Sequence, residues 1–258
     1  MLAALLALPG CSGVQSALGV VEDTAASVLL PIDQELALGV QLRAELASEL
    51  TVHADPELQA YIQALGQQVV AAATDRDPRV VFTFTVVDDP ATVNAFAIPG
   101  GHIYMYTGLM RAAENEAEIM AVLSHEVAHV TKRHVAERLV AAYGIDAVTQ
   151  MALGRSPGMV SQLVAEVAAT GVLLRYSRAA ETESDEVGFE YLVRTGYSPT
   201  GFVTFFAKLE GGNQPPQFMS THPDPSNRVA AARARIAARS NLPTRTTSPA
   251  FDAMRARL

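Results

Sequence analysis

The sequence predicts an α+β domain that is mostly helical, with a small three-stranded sheet. Apolar residues recur at helical spacing through 31–73 and again from residue 111 onward. Between them, RVVFTFTVVDDP (79–90) alternates β-branched and aromatic residues with Thr, and VNAFAIPGGHIYMYTGLM (93–110) sets two further strands, NAFAI and HIYMYT, around a Pro-Gly-Gly turn. With 258 residues, 49% of them hydrophobic, the chain can bury one sizeable core, and we expect a single domain over 31–240.

The chain opens with MLAALLALPGCSG, whose apolar stretch is too short to span a bilayer and suits the core of a signal peptide. LPGC resembles a bacterial lipobox, so residues 1–11 read as a leader ending at a lipidated Cys11, and 12–30 as a tether. Ser12 would then favour sorting to the outer membrane over the inner. The plainer reading makes Cys11 a small apolar residue in an ordinary leader, and no Lys or Arg precedes Arg43 to supply the usual basic start.

PIDQELALGVQLRAELASEL (31–50) begins with Pro and acidic residues and reads as a helix, and DPELQAYIQALGQQVVAAA (55–73) as a second, with Asp55 as N-cap and Pro56 in the first turn. The segment 138–175 is strongly apolar. Asp146 and Glu166 interrupt it and Arg155-Ser156-Pro157-Gly158 split it, so it reads as buried or membrane-proximal helices rather than a span. Helices are expected at 178–195 and 199–210, then a loop, GGNQPPQFMSTHPDPS, and a last helix from Asn227 to about Ser240. The tail, 241–258, is expected to be loosely held.

Net charge is −8, from 27 acidic against 19 basic residues, and no long basic run offers a track for phosphates, so a nucleic-acid partner is not expected. A single cysteine rules out an intrachain disulfide and any zinc site built from several thiolates. A metal here must use His and carboxylates.

SHEVAHVTKRH (124–134) supplies such groups. On a helix turning 100° per residue with His125 at zero, His129 falls at about 40° and Glu126 at about 100°; Ile119, Met120, Leu123, Val127 and Val130 fall between about 120° and 220°. Both histidines thus lie off the apolar stripe where a structural core histidine would sit. His134, at about 180°, falls within it and reads as structural. His125 and His129 share a face one turn apart, so both rings can reach one ion, with Glu126 beside it. Zn2+ suits imidazole and carboxylate donors, and in this HEXXH spacing the carboxylate serves as proton acceptor for an activated water.

Two histidines need a further ligand. Candidates are Glu137, Glu166 and the cluster SRAAETESDEVGFEYL, where Glu181 and Asp185 lie four apart on one helical face, with Gly188 on the same side. That glycine would let two helices approach closely. The assignment that follows is Glu181 on the metal and Asp185 accepting an imidazole N–H; the competing reading is a solvated acidic face.

HEVAHVTKRH followed by YSRAAETESDEVG resembles the zinc metallopeptidase family that includes HtpX, the CAAX prenyl endopeptidases and the BepA-like periplasmic proteases. QELALG (34–39), NAFAIPGGHIYMYTGL (94–109) and STHPDPSNR (220–228) match it as well, so the resemblance covers roughly 31–235. Ser184 stands where that family usually has Ala. The resemblance implies a zincin-like fold, one Zn2+ per chain on His125, His129 and Glu181, and Asp185 as a companion outside the ligand set. It implies too that Asn94, Ala95, Phe96 and Ala97 form an edge strand flanking the cleft and pairing with substrate backbone, for which an ordinary hairpin is the plainer account. His222 and Arg228 are implied near the zinc, stabilising the oxyanion or gating the open position; a loop histidine and a surface arginine are the plainer accounts. Arg228 sits in the first turn of its helix against the helix dipole, and so calls for an anionic partner.

The expected activity is zinc-dependent endopeptidase cleavage of misfolded or unassembled envelope proteins, with Glu126 activating water, by a lipid-anchored periplasmic protein. The alternative is a chaperone-like lipoprotein that binds unfolded clients, its zinc mainly structural.

Overall fold

The computed structural model describes residues 30–170, 175–210, 217–222 and 227–258. The expected leader, Cys11 and all of the tether before Leu30 lie outside the described residues. Helix α1 (Ile32–Glu49) follows Pro31 and carries Asp33 and Glu35 in its first turn. Helix α2 (Pro56–Ala72) is capped as expected, the Asp55 carboxylate accepting from the N–H groups of Glu57 and Leu58 at 2.8 and 3.4 Å.

Strands β1 (Thr83–Val87), β2 (Ala95–Ile98) and β3 (His102–Tyr106) form one sheet in the order β1-β3-β2. β2 and β3 make a hairpin turned by Gly100 and Gly101 at φ 83° and 91°, which a side chain would strain. β1 pairs with β3 in parallel, which leaves β2 on an edge.

Short α3 (Thr107–Ala112) leads to α4 (Glu116–Thr131), capped by the Asn115 side chain. Then come α5 (His134–Tyr143), α6 (Ile145–Ala152), α7 (Pro157–Thr170), α8 (Arg178–Arg194), α9 (Thr200–Glu210), α10 (Gln217–Thr221), α11 (Arg228–Ala237) and α12 (Pro249–Arg255). α4 is the central element, packed against α8, α9, α2 and β2, and every residue from Glu116 to Val130 is buried. The face of α4 opposite its apolar stripe is therefore also internal. α7 begins at Pro157, where the sequence predicts the split. α6 and α7 pack on α1, whose Gln41 amide donates to the carbonyls of Met151 and Ala152 that end α6. Among the described residues no helix is long and apolar enough to cross a membrane.

Two expectations need correction. α4 does not run through His134: Arg133 takes a left-handed φ of 61°, held by its ion pair to Glu35 at 2.7 Å, and α5 starts afresh. The tail is not loosely held. Ser198 N–H donates to Arg245 C=O at 2.7 Å, Phe251 and Met254 are buried, and Arg245 and Ser248 reach the buried Glu116 carboxylate.

Candidate metal centre

Helix periodicity brings His125 and His129 to one point on α4, with their Nε2 atoms 3.0 Å apart. From α8, Glu181 places Oε2 3.4 Å from His125 Nε2 and Oε1 3.4 Å from His129 Nε2. His222, just after α10, completes the group, its Nδ1 3.0 Å from Glu181 Oε1 and 3.2 Å from His125 Nε2. One potential ligand atom from each residue lies within 4.8 Å of the others, and all four residues are fully buried. Neither Glu137 nor Glu166 belongs to the group.

The donors fit a small divalent cation. His125 Nδ1 lies 3.0 Å from Asp185 Oδ1, and His129 Nδ1 lies 3.0 Å from His134 Nδ1, so each outer nitrogen faces a polar group while the inner ones converge. Converging lone pairs in a dry interior repel unless a cation lies between them. Ligand atoms about 2.1 Å from a tetrahedral ion stand roughly 3.4 Å apart, close to the spacings here. Imidazole nitrogen with one carboxylate is a donor set for zinc or a similar transition ion rather than for calcium or magnesium.

Close approach of α8 to α4 depends on Gly188, as the sequence predicts. A Cβ there would fall 2.9 Å from Ser124 O and 3.1 Å from His125 N. Arg228 finds its anionic partners in the site itself. Its Nε and Nη2 make a fork to Asp185 at 2.9 Å each, and Nη2 donates also to Glu181 Oε2 at 2.9 Å, with the guanidinium over the Phe206 ring.

Glu126 lies outside the group of donors. Its Oε1 is 3.4 Å from His222 Nε2, and both its carboxylate oxygens are buried without a hydrogen-bond partner among the described residues. Burial pushes this carboxyl above the ordinary range. Without metal, burial holds His129 well below the usual imidazole range. Burial opposes charge on Glu181 too, but His222, His125 and His129 outweigh it and hold the carboxyl well below its usual range. For His125 burial is outweighed by Asp185 and Glu181, which lift it to about 9.

The proposed substrate strand is in place as an edge, and all four residues of β2 are buried. Asn94 accepts the Tyr106 N–H through its carbonyl and the Ala95 N–H through its side chain. Phe218 N–H donates to Val93 C=O, so α10, which carries His222 at its end, is stitched to the start of β2.

Sequence reasoning missed the two aromatic supports. Tyr176 stacks on His129 with centroids 3.9 Å apart and Phe218 on His222 at 4.3 Å, fixing both ring planes. Each precedes a site residue by four or five positions, the only signal that could have marked them.

A profile of Peptidase family M48 matches residues 56–236. The chain is similar to the beta-barrel assembly-enhancing protease of Yersinia pestis, 32% identical over 225 residues, covering 82% of this chain and 46% of that protein. It is also similar to Metalloprotease YcaL of Escherichia coli K12, 36% identical over 152 residues that cover 56% of this chain and 59% of that one. To Mitochondrial metalloendopeptidase OMA1 of Arabidopsis thaliana it is 35% identical over 159 residues, 61% of this chain and 32% of that protein. The chain spans about half the length of the beta-barrel assembly-enhancing proteases it matches. With a matched profile across most of its length and a buried His/Glu group at the centre of its fold, the chain belongs to Peptidase family M48.

Proposed function

We propose that the chain is a zinc-dependent endopeptidase, and that His125, His129 and Glu181 hold the ion. The observation that carries this reading is the convergence of buried potential donors beside a buried carboxylate, Glu126, that has no hydrogen-bond partner among the described residues. Bound zinc would supply Lewis acidity, polarising a peptide carbonyl and easing the ionisation of water.

Around it, each side chain has a role. Glu126, with its raised affinity for protons, takes a proton from water and returns it to the leaving amine. Asp185 orients the His125 ring, and Arg228 holds Asp185 and Glu181 together. Nε and Nη2 of Arg228 are engaged with carboxylates, but its Nη1 and the Nε2 of His222 are buried without a hydrogen-bond partner among the described residues, so help to the oxyanion comes from His222 or Arg228. The β2 edge, Asn94 to Ala97, lines up an extended substrate by backbone pairing. Substrates are polypeptides. The name carried by the beta-barrel assembly-enhancing proteases supports envelope proteins, misfolded or unassembled, as the class. It supports also a periplasmic site of action; a lipid anchor at Cys11 in the outer membrane rests on the lipobox-like LPGC alone.

A second reading is favoured by one feature: His222 supplies a fourth protein donor, and structural zinc sites are closed by four. In that reading the protein binds clients and the ion only ties α4, α8 and the His222 segment together. Metal analysis with casein digestion, on wild type and Glu126→Gln, separates the two. The endopeptidase reading expects about one zinc per chain in both and a 10²–10⁴-fold loss of cleavage in the variant; wild type that binds zinc and cleaves nothing would sink it.

A further inference from the structure

His134 is buried, off the metal, and has no part in the reaction described above. It lies at the start of α5, turned back toward α4 by the left-handed Arg133. Its Nδ1 is 3.0 Å from His129 Nδ1 and 3.1 Å from Ser184 Oγ, and its Nε2 is 3.2 Å from Oε2 of Glu183, whose side chain is 52% exposed.

We propose that Glu183 and His134 form a relay that sets the tautomer of His129, leaving the Nε2 of that ring free to bind the metal. The inference rests on His129 being a ligand. The carboxylate can only accept, so His134 must carry its proton on Nε2 and donate it to Glu183. His134 Nδ1 is then a lone pair, which can only accept. His129 must therefore carry its proton on Nδ1 and donate it to His134, and its Nε2, facing His125 and Glu181, is left with a lone pair.

The opposite setting fails at each link. A proton on His134 Nδ1 could satisfy Ser184 Oγ, but it would turn the Nε2 lone pair toward the Glu183 carboxylate. It would also force His129 to accept at Nδ1, moving its proton to Nε2, where a metal ligand can carry none. Ser184 can donate or accept, so it decides nothing. Thus a half-exposed carboxylate at the surface selects the form of a ring inside the site, and His134 is a positioning residue.

The test is done on the full chain. Zinc affinity is measured by competition with a chromophoric chelator, and histidine tautomers are read from side-chain ¹⁵N shifts of the zinc-loaded protein. Wild type is expected to show His129 protonated on Nδ1 and His134 on Nε2. His134→Leu should weaken zinc binding 10–100-fold, while His134→Asn, whose amide oxygen can take the place of Nδ1, should restore most of it. Glu183→Ala, a change at the surface that leaves the fold alone, should mix the His134 tautomers and weaken zinc binding; Ser184→Ala should do neither. Should His134→Leu not fold, the wild-type spectrum and Glu183→Ala decide. A zinc-loaded wild type with His134 protonated on Nδ1, or a Leu variant that binds zinc like wild type, overturns the relay alone. Failure of wild type to bind zinc overturns it together with the peptidase reading.

Discussion

Replacing Gly188 by Ala tests whether the contact between α4 and α8 holds the donors in register. The added Cβ would meet Ser124 O at 2.9 Å, Ser124 C at 3.0 Å and His125 N at 3.1 Å, where ordinary contact begins at 3.4 Å. These are backbone atoms and cannot swing aside, so the helices must part by about 0.5 Å, the difference between 3.4 and 2.9 Å. Such overpacking costs about 1–3 kcal/mol, and the better helix propensity of Ala returns about 1 kcal/mol, which leaves a net loss of roughly 0–2 kcal/mol. For a chain this long that is a fall in Tm of at most about 8 °C. Metal binding is the sharper readout. Ligand distances tolerate about 0.2 Å, so a shift of 0.5 Å carrying Glu181 and Asp185 away from His125 should weaken zinc binding by at least tenfold. Gly158→Ala is the control, since nothing lies within 4 Å of a Cβ at that exposed helical position, and it should hold or raise Tm with zinc affinity unchanged. Equal zinc affinity and equal Tm changes in the two variants would refute the argument from close approach.

Three other outcomes are expected. Glu116→Ala strips the shared acceptor from Tyr61, Tyr197, Ser248 and Arg245, and should cost about 3 kcal/mol and open the segment after residue 241 to limited proteolysis; an equally protected tail would contradict this. Burial, then the charge of Arg43, lowers His102 from 6.5 to about 4, so the unfolded chain binds the extra proton first and stability drops as pH falls from 6.5 toward 4. The drop is at most about 3 kcal/mol, less with solvent screening, and should shrink in His102→Asn, as urea titrations across that window will show. Removing metal with a chelator should lower Tm by roughly 5–11 °C relative to protein with free zinc at 100 times Kd, from about 2.7 kcal/mol of linked binding; scanning calorimetry with and without the chelator checks it.

Much of the centre is legible in the sequence because it is written in helical period. His125, His129, Glu181, Asp185 and Gly188 sit at spacings of four and three, and an α-helix converts such spacings into shared faces. The three strands show themselves equally, through alternation and the turn glycines. Other features carry no local signal. An arginine in the left-handed region has no sequence mark, so nothing local announces the break at Arg133 that sets His134, expected to be structural, against His129. The tail offers only Phe251 and Met254 as buried apolar residues, and its polar anchor, Glu116, is more than a hundred residues away.

By itself the sequence determined which side chains could hold a metal and on which helical faces they stand, since the local geometry of a helix is the same in any fold. Only tertiary structure decided that β1 would reach past β2 to pair with β3, that α4 would stop at Arg133, and that His222 would stand within the buried group of potential donors. These depend on which surfaces bury one another across long stretches of chain, and burial is a property of the whole packed molecule rather than of any window along it.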